Sequence, residues 1–247
     1  MKVLRIKKNN GVFFIVAASL LVLVAFVFAW VQARTYSPME EALDILKQDS
    51  VSEQKGVLIF HPPGEVRANL VFYQGGLVRP SSYSVLAHLL AQEGIRVFLP
   101  QMPLDLAILD TGAFSAIQDE YRDGAAWYIG GHSLGGAAAA IHAAENPGNL
   151  GGLVLLGAYP PESADLSGLD LRVLSFHATN DSIVNLAQYN GTKHLLPPDT
   201  VYLIIEGGNH SQYGHYGLQS GDKDAVIPRE AQLSMVVEGI VNVLVSR

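Results

Sequence analysis

The stretch Tyr128-Ile129-Gly130-Gly131-His132-Ser133-Leu134-Gly135-Gly136 constrains this chain more than any other. A short apolar run leads into it, and an alanine-rich segment from Ala137 to Ala144 follows, so it reads as a buried strand turning sharply into a helix. Within it, Gly131-His132-Ser133-Leu134-Gly135 has the glycine–x–serine–x–glycine spacing of a nucleophile elbow. On such a turn the serine is held in a strained backbone conformation and its hydroxyl projects from the sheet. The residues two before and two after it pass close to each other, where a Cβ would clash, hence Gly131 and Gly135. In a chain with 24 glycines the pentapeptide alone says little. It gains meaning if a strand precedes it, a helix follows it, and an acid and then a histidine come later.

The chain has 247 residues, 49% hydrophobic and 16% charged, enough for one large domain with a sizeable core. Part of that apolar content lies elsewhere. Residues 11–31 carry no charge, and Ser19 is their one clearly polar side chain. As a helix they span about 31 Å, the thickness of a bilayer core, and no face is polar, which argues against a soluble helix. Lys2, Arg5, Lys7 and Lys8 precede this run, and the first acid is Glu40. The positive-inside rule then keeps the N-terminus cytoplasmic and sends the rest across. Trp30 fits an interfacial aromatic at the far end. The expected organisation is a basic cytoplasmic tail at 1–10, a transmembrane signal-anchor at 11–33, a juxtamembrane helix and linker at 34–48, and one domain at 49–247. A cleaved signal peptide, cut near Ala33 after Val31-Gln32, is the alternative and would make the protein secreted. The apolar run is longer than the roughly 7–15 residues usual for such a peptide.

The chain has no cysteine, which excludes disulfides, thiolate catalysis and cysteine-ligated zinc. From residue 35 onward, 11 Lys and Arg face 23 Asp and Glu, a balance of −12. That surface repels nucleic acid, so no nucleic-acid partner is expected. Asp222 and Asp224 are closely spaced carboxylates, but no histidine or further acid completes a ligand set. They read as a solvated loop, and no metal or other cofactor is expected.

Ser37-Pro38-Met39-Glu40-Glu41 signals a helix start, with serine as N-cap and proline at the first helical position. Strands are expected near 49–53, 56–60, 68–73, 95–99, 126–129, 153–157, 172–176 and 201–205. Helices are expected from Pro80, closed by Gly94, at 113–122, after the elbow to Glu145, and at 228–245. The apolar loop 102–109 is placed over the sheet edge or along a pocket. This alternation means a mostly parallel sheet covered on both faces. Only about fifteen residues separate the strands at Leu153 and Arg172, which leaves no room for a large lid.

A serine hydroxyl needs a base, and the base an orienting acid. Asp181 follows the strand ending at Phe176, and His210 follows the strand ending at Ile205. Both thus fall at the strand ends where Ser133 sits, the edge where open α/β sheets form their sites. Glu206 and His215 are the runners-up for acid and base, and Asp181 could instead cap the following helix. His132 reads as elbow packing. The backbone N–H of Leu134 and one from the Gln74-Gly75-Gly76-Leu77 turn, taken as that of Gly76, would hold an oxyanion.

With these residues in hand, the chain resembles the α/β-hydrolase superfamily, and in particular its compact, often membrane-anchored bacterial members. The resemblance spans roughly residues 50–245. It is carried by Phe72-Tyr73-Gln74-Gly75-Gly76-Leu77-Val78, Met102-Pro103-Leu104-Asp105-Leu106-Ala107, the elbow from Trp127 to Gly136, Asn180-Asp181, and Glu206-Gly207-Gly208-Asn209-His210. Gln74 departs from it, standing where proline or histidine is expected. The resemblance implies hydrolysis of a small ester-like substrate and does not name that substrate. An acyltransferase or thioesterase with the same triad, or a non-catalytic binding module on the same fold, are the competing functions.

Overall fold

The structure is a computed structural model, and it describes residues 10–244. It divides into two compact units, Met1–Thr35 and Tyr36–Arg247. In the first, α1 (Asn10–Arg34) is a single helix. Its stretch Phe14–Arg34 has a mean hydropathy of 2.8 and is long and apolar enough to cross a membrane. Thr35 closes it, donating its N–H and its hydroxyl to the Val31 carbonyl at 3.0 and 3.1 Å. The basic tail lies outside the described residues, apart from Asn10.

The second unit is built on an eight-stranded sheet. In chain order its strands are β1 (Val51–Gln54), β2 (Val57–Phe60), β3 (Ala68–Tyr73), β4 (Ile95–Pro100), β5 (Ala126–His132), β6 (Gly152–Leu156), β7 (Arg172–Ala178) and β8 (Val201–Ile205). In space they run β1-β2-β4-β3-β5-β6-β7-β8. β1 pairs antiparallel with β2, and β2 antiparallel with β4; every later pairing is parallel. The first hairpin turns on Lys55 and Gly56, both at positive φ (50° and 76°), the geometry a two-residue hairpin requires.

Strand periodicity sorts the core into two layers. Leu70, Phe72, Val97, Leu99, Val154 and Leu156 face one way. Their neighbours Val71, Tyr73, Phe98, Leu153 and Leu155 face the other. The first face is covered by α3 (Ser84–Gln92), through Leu86 and Leu90, and by α7 (Arg229–Leu244), through Leu233, Val236 and Ile240. The second is covered by α4 (Ala113–Glu120), through Phe114 and Ile117, and by α5 (Leu134–Glu145), whose alanines let it lie close to the strands. The central strands are the most apolar because they are covered on both faces. β3 is buried at all six positions, whereas edge strand β8 is exposed at Val201, Tyr202 and Ile204.

Of three local features, the first differs from the sequence expectation and the other two narrow it. The helix expected from Pro38 is α2 (Glu40–Ile45), and Ser37 does not cap it. Residues 36–39 are drawn out instead. Tyr36 donates its N–H to Leu77 and accepts from Arg79, and the Met39 N–H donates to His215. α2 then buries Ala42 within the second unit. Secondly, the connection from β6 to β7 contains no helix; Ala164, Leu166 and Leu171 pack it into the second core layer. Among the described residues no lid is inserted there. Thirdly, α6 (Leu186–Gly191) is short and is capped by Asn185, which accepts the Gln188 N–H, and not by Asp181.

Candidate active site

β5 ends at His132 and α5 begins at Leu134, so Ser133 alone makes the turn, at φ 52° and ψ −123°. That conformation costs on the order of 1–3 kcal/mol and persists because its surroundings over-determine it. The Ser133 N–H donates to the Leu156 carbonyl at 3.0 Å, and its carbonyl accepts the Ala137 N–H at 3.2 Å. The flanking glycines explain how the chain passes. A Cβ on Gly131 would lie 2.4 Å from the Gly135 carbonyl carbon. One on Gly135 would lie 2.3 Å from the Tyr73 carbonyl oxygen, so its tightest neighbour is β3.

Asp181 lies just past β7, its N–H bonded to the Ala178 carbonyl at 3.1 Å. One carboxylate oxygen accepts the N–H groups of Ile183 and Val184, each at 2.9 Å. The other meets His210 Nδ1 at 2.8 Å. Both side chains of this pair are fully buried. His210 Nε2 is buried and has no bonding partner among the described residues. His210 and Ser133 line one cavity of about 300 Å³, together with Gly157, Tyr159, Ile183 and Val184, and among the described residues no carboxylate, Lys or Arg lines it. Gly157, at φ 51°, covers the acid–base pair: a Cβ there would be 3.1 Å from both Asp181 Oδ2 and His210 Nδ1. Of the runners-up, Glu206 is exposed. His215 is buried, and burial, reinforced by Arg229, lowers its pKa to about 4.

The Gln74–Leu77 turn lies against the elbow. A Cβ on Gly76 would be 3.1 Å from the Leu134 side chain. The N–H groups around it are committed. That of Gly75 donates to the Tyr83 hydroxyl at 2.9 Å, that of Leu77 to the Asp105 carbonyl at 2.9 Å, and that of Val78 to the Gly75 carbonyl at 3.1 Å. The Gly76 N–H is not among them. The Leu134 N–H is first in its helix, so no carbonyl of that helix lies four residues back to accept it. Gln74 is buried with its side-chain amide unbonded to any described residue, while its backbone carbonyl packs on Gly135.

Sequence reasoning missed Tyr83. Its hydroxyl accepts from the Gly75 N–H at 2.9 Å and shares a hydrogen bond with His132 Nδ1, 2.8 Å away. This links the turn to the elbow through a fully buried pair. Burial holds His132 well below the usual histidine pKa, so it stays neutral, in contact with the His210 ring at a centroid distance of 4.3 Å. Asp222 was missed as well. It is half-buried in an otherwise exposed loop, and its carboxylate accepts backbone N–H groups of both site loops. Neither role has a local signature, since each partner is brought in by the sheet.

Fold and site geometry together define an α/β hydrolase. Residues 69–234 match the family model described as "Alpha/beta hydrolase family", and the chain belongs to that family. No curated protein matches it in sequence. Among solved structures it is similar to a dienelactone hydrolase from Anabaena variabilis ATCC 29413, at 19% identity and a TM-score of 0.59, covering 76% of this chain and 91% of that one. It is also similar to esterase 2 of Thermogutta terrifontis, in a form phosphonylated by cyclosarin, at 14% identity and a TM-score of 0.58, covering 77% and 90%. At these identities the likeness is one of fold.

Proposed function

We propose that the protein is a serine hydrolase that cleaves ester-like bonds through an acyl-enzyme, held at a membrane by α1 with its second unit outside the cytoplasm. The observation that carries this reading is the buried Asp181–His210 pair, 2.8 Å apart, in which His210 lines the same cavity as the strained Ser133 and its Nε2 has no partner among the described residues.

In this mechanism Ser133 Oγ attacks the substrate carbonyl as His210 Nε2 takes its proton. Asp181 holds the imidazole in the right tautomer and stabilises its charged form. The carbonyl oxygen becomes an oxyanion, met by the N–H groups of Leu134 and Gly76, each donor worth roughly 3 kcal/mol in the transition state. The tetrahedral intermediate collapses, and His210 passes its proton to the leaving alcohol. Water, deprotonated by the same nitrogen, then attacks the acyl-enzyme and restores Ser133. His132, buried and neutral, supports the elbow and is not a second base.

The substrate class follows from the walls. A cavity of about 300 Å³ bounded by Leu134, Ala158, Ile183 and Val184, with no fixed charge, suits an uncharged acyl group of modest size. Without a lid, it is open to substrates that long-chain pockets exclude. Hydrolysis of p-nitrophenyl esters of rising chain length by the full chain in detergent tests this. Short acyl chains should be cleaved best, and Ser133→Ala should lower kcat by about 10⁴-fold or more. Turnover that survives Ser133→Ala, or that rises steadily with chain length, would contradict it.

A further inference from the structure

We infer that Asp222 is a positioning residue that locks the loops of the acid and the base to each other, an inference that rests on the hydrolase reading. The need for such a part is geometric. Asp181 and His210 lie beyond the last paired residues of β7 and β8, Ala178 and Ile205. The two loops do meet again directly, through the Thr179 N–H to Ile205 carbonyl bond at 3.0 Å and the Asn180 N–H to Gly208 carbonyl bond at 2.8 Å, but both bonds come before Asp181 and His210 in the chain, so the residues that follow the pair are held by other means. Asp222 sits in a third segment that touches both loops at the residue next to each partner. Its Oδ1 accepts the N–H of Ser182, which follows Asp181, at 3.2 Å, and that of Lys223 at 3.0 Å. Its Oδ2 accepts the N–H and the hydroxyl of Ser211, which follows His210, at 2.8 and 2.7 Å.

The surrounding bonds extend the same clip. The Ser182 hydroxyl donates to the Gly221 carbonyl at 2.8 Å, and Asn180 Nδ2 to the Asp224 carbonyl at 3.0 Å. On the other loop, Asn209 Nδ2 donates to the Lys223 carbonyl at 2.7 Å, and the Gln219 N–H to Ser211 Oγ at 2.8 Å. Behind His210, the buried Gln232 amide grips the Asn209 backbone twice, at 3.0 and 2.8 Å. Segment 219–224 thus bridges the two loops. Asp222 is its centre because a carboxylate offers two acceptor oxygens at once. All four of its bonds come from donors, so an amide there could serve one loop only.

Asp222→Asn tests this in the full chain in detergent. Four quantities are read: kcat and KM on a short p-nitrophenyl ester, the rate of labelling by a fluorophosphonate, the thermal midpoint, and the downfield proton resonance of His210 Nδ1–H. That resonance is assigned by its loss in Asp181→Asn. The expected result is a fall of roughly 10- to 100-fold in kcat and in labelling rate, with KM little changed. The His210 resonance should broaden or shift. Asp224→Asn, whose exposed side chain takes no part in the clip, should match wild type. Ser211→Ala keeps the backbone and removes only the hydroxyl bonds, so it gives a smaller change in the same direction and serves if Asp222→Asn does not fold. Wild-type kcat, labelling rate and resonance in a folded Asp222→Asn chain, or in Ser211→Ala where that chain does not fold, would overturn the inference. So would activity lost only in proportion to unfolded protein. If wild type itself were neither labelled nor active, the hydrolase reading would fall, while the resonance would still report whether Asp222 sets the Asp181–His210 contact.

Discussion

At the turn made by Ser133, the limiting quantity is space. The strained serine is tolerated because its neighbours leave no other path, and those neighbours have no side chain. Gly135→Ala puts a methyl group 2.3 Å from the Tyr73 carbonyl oxygen, at the end of β3, and 2.4 Å from that of Gln74, just past it, both backbone atoms that cannot swing aside. The expected cost is about 1–3 kcal/mol in denaturant unfolding, with the nucleophile displaced and labelling lost. Gly148→Ala is the matched control, since nothing lies within 4 Å of the added group. It should change stability by less than about 0.5 kcal/mol. Equal effects at the two glycines would mean that close packing does not shape the elbow. Ser133 and its two glycines were legible in sequence because they stand together in one short motif, even though the atoms that crowd Gly135 belong to Tyr73 and Gln74. Gly157 was not, because no motif surrounds it and the atoms that crowd it, in Asp181, His210 and Tyr213, come from distant segments.

At the level of elements, the helices and loops act as clamps on the strand ends. The turn Pro80–Tyr83 that opens α3 places one hydroxyl between the Gly75 N–H and His132 Nδ1. Tyr83→Phe keeps the ring and leaves both buried groups unpaired, which costs about 1–3 kcal/mol. It should also lower kcat more than it raises KM, because the turn bearing Gly76 loses an anchor; unchanged kcat in a folded variant would contradict this link. Strand β3 and helix α7 could be read from sequence, since their apolar residues recur with the strand or helix period and face the core. The start of α2 could not, although Ser37 and Pro38 form a good helix signal. Bonds from Leu77, Arg79 and His215 to residues 36–39 outweigh it, and those partners are invisible locally. Asp181 and His210 were visible for the opposite reason. Each stands just past an apolar strand, and strand ends on one edge of a parallel sheet must converge.

For the whole molecule, two properties follow from burial and charge. His132 and His215 both have their pKa lowered by burial, His215 to about 4. Between pH 6.5 and 4 the unfolded chain binds protons that folded His215 does not, so stability is full above 6.5 and falls as pH drops through that window. His215→Gln should flatten this part of the profile, read as thermal midpoint against pH; an unaltered slope would contradict the assignment. The second property is partition. The second unit carries its own two-layered core, so a chain beginning at Tyr36 should fold and stay in solution while the full chain sediments with membranes. Recovery of the full chain in the soluble fraction would rule out anchoring by α1. Above both stands the question of whether Ser133 is a nucleophile. Reacting the folded full chain with a fluorescent fluorophosphonate answers it. One label per chain should appear in wild type, map to Ser133, and vanish in Ser133→Ala and His210→Ala. A folded wild-type chain that stays unlabelled, or a Ser133→Ala chain labelled as strongly as wild type, would contradict the assignment of Ser133, His210 and Asp181 as a catalytic triad.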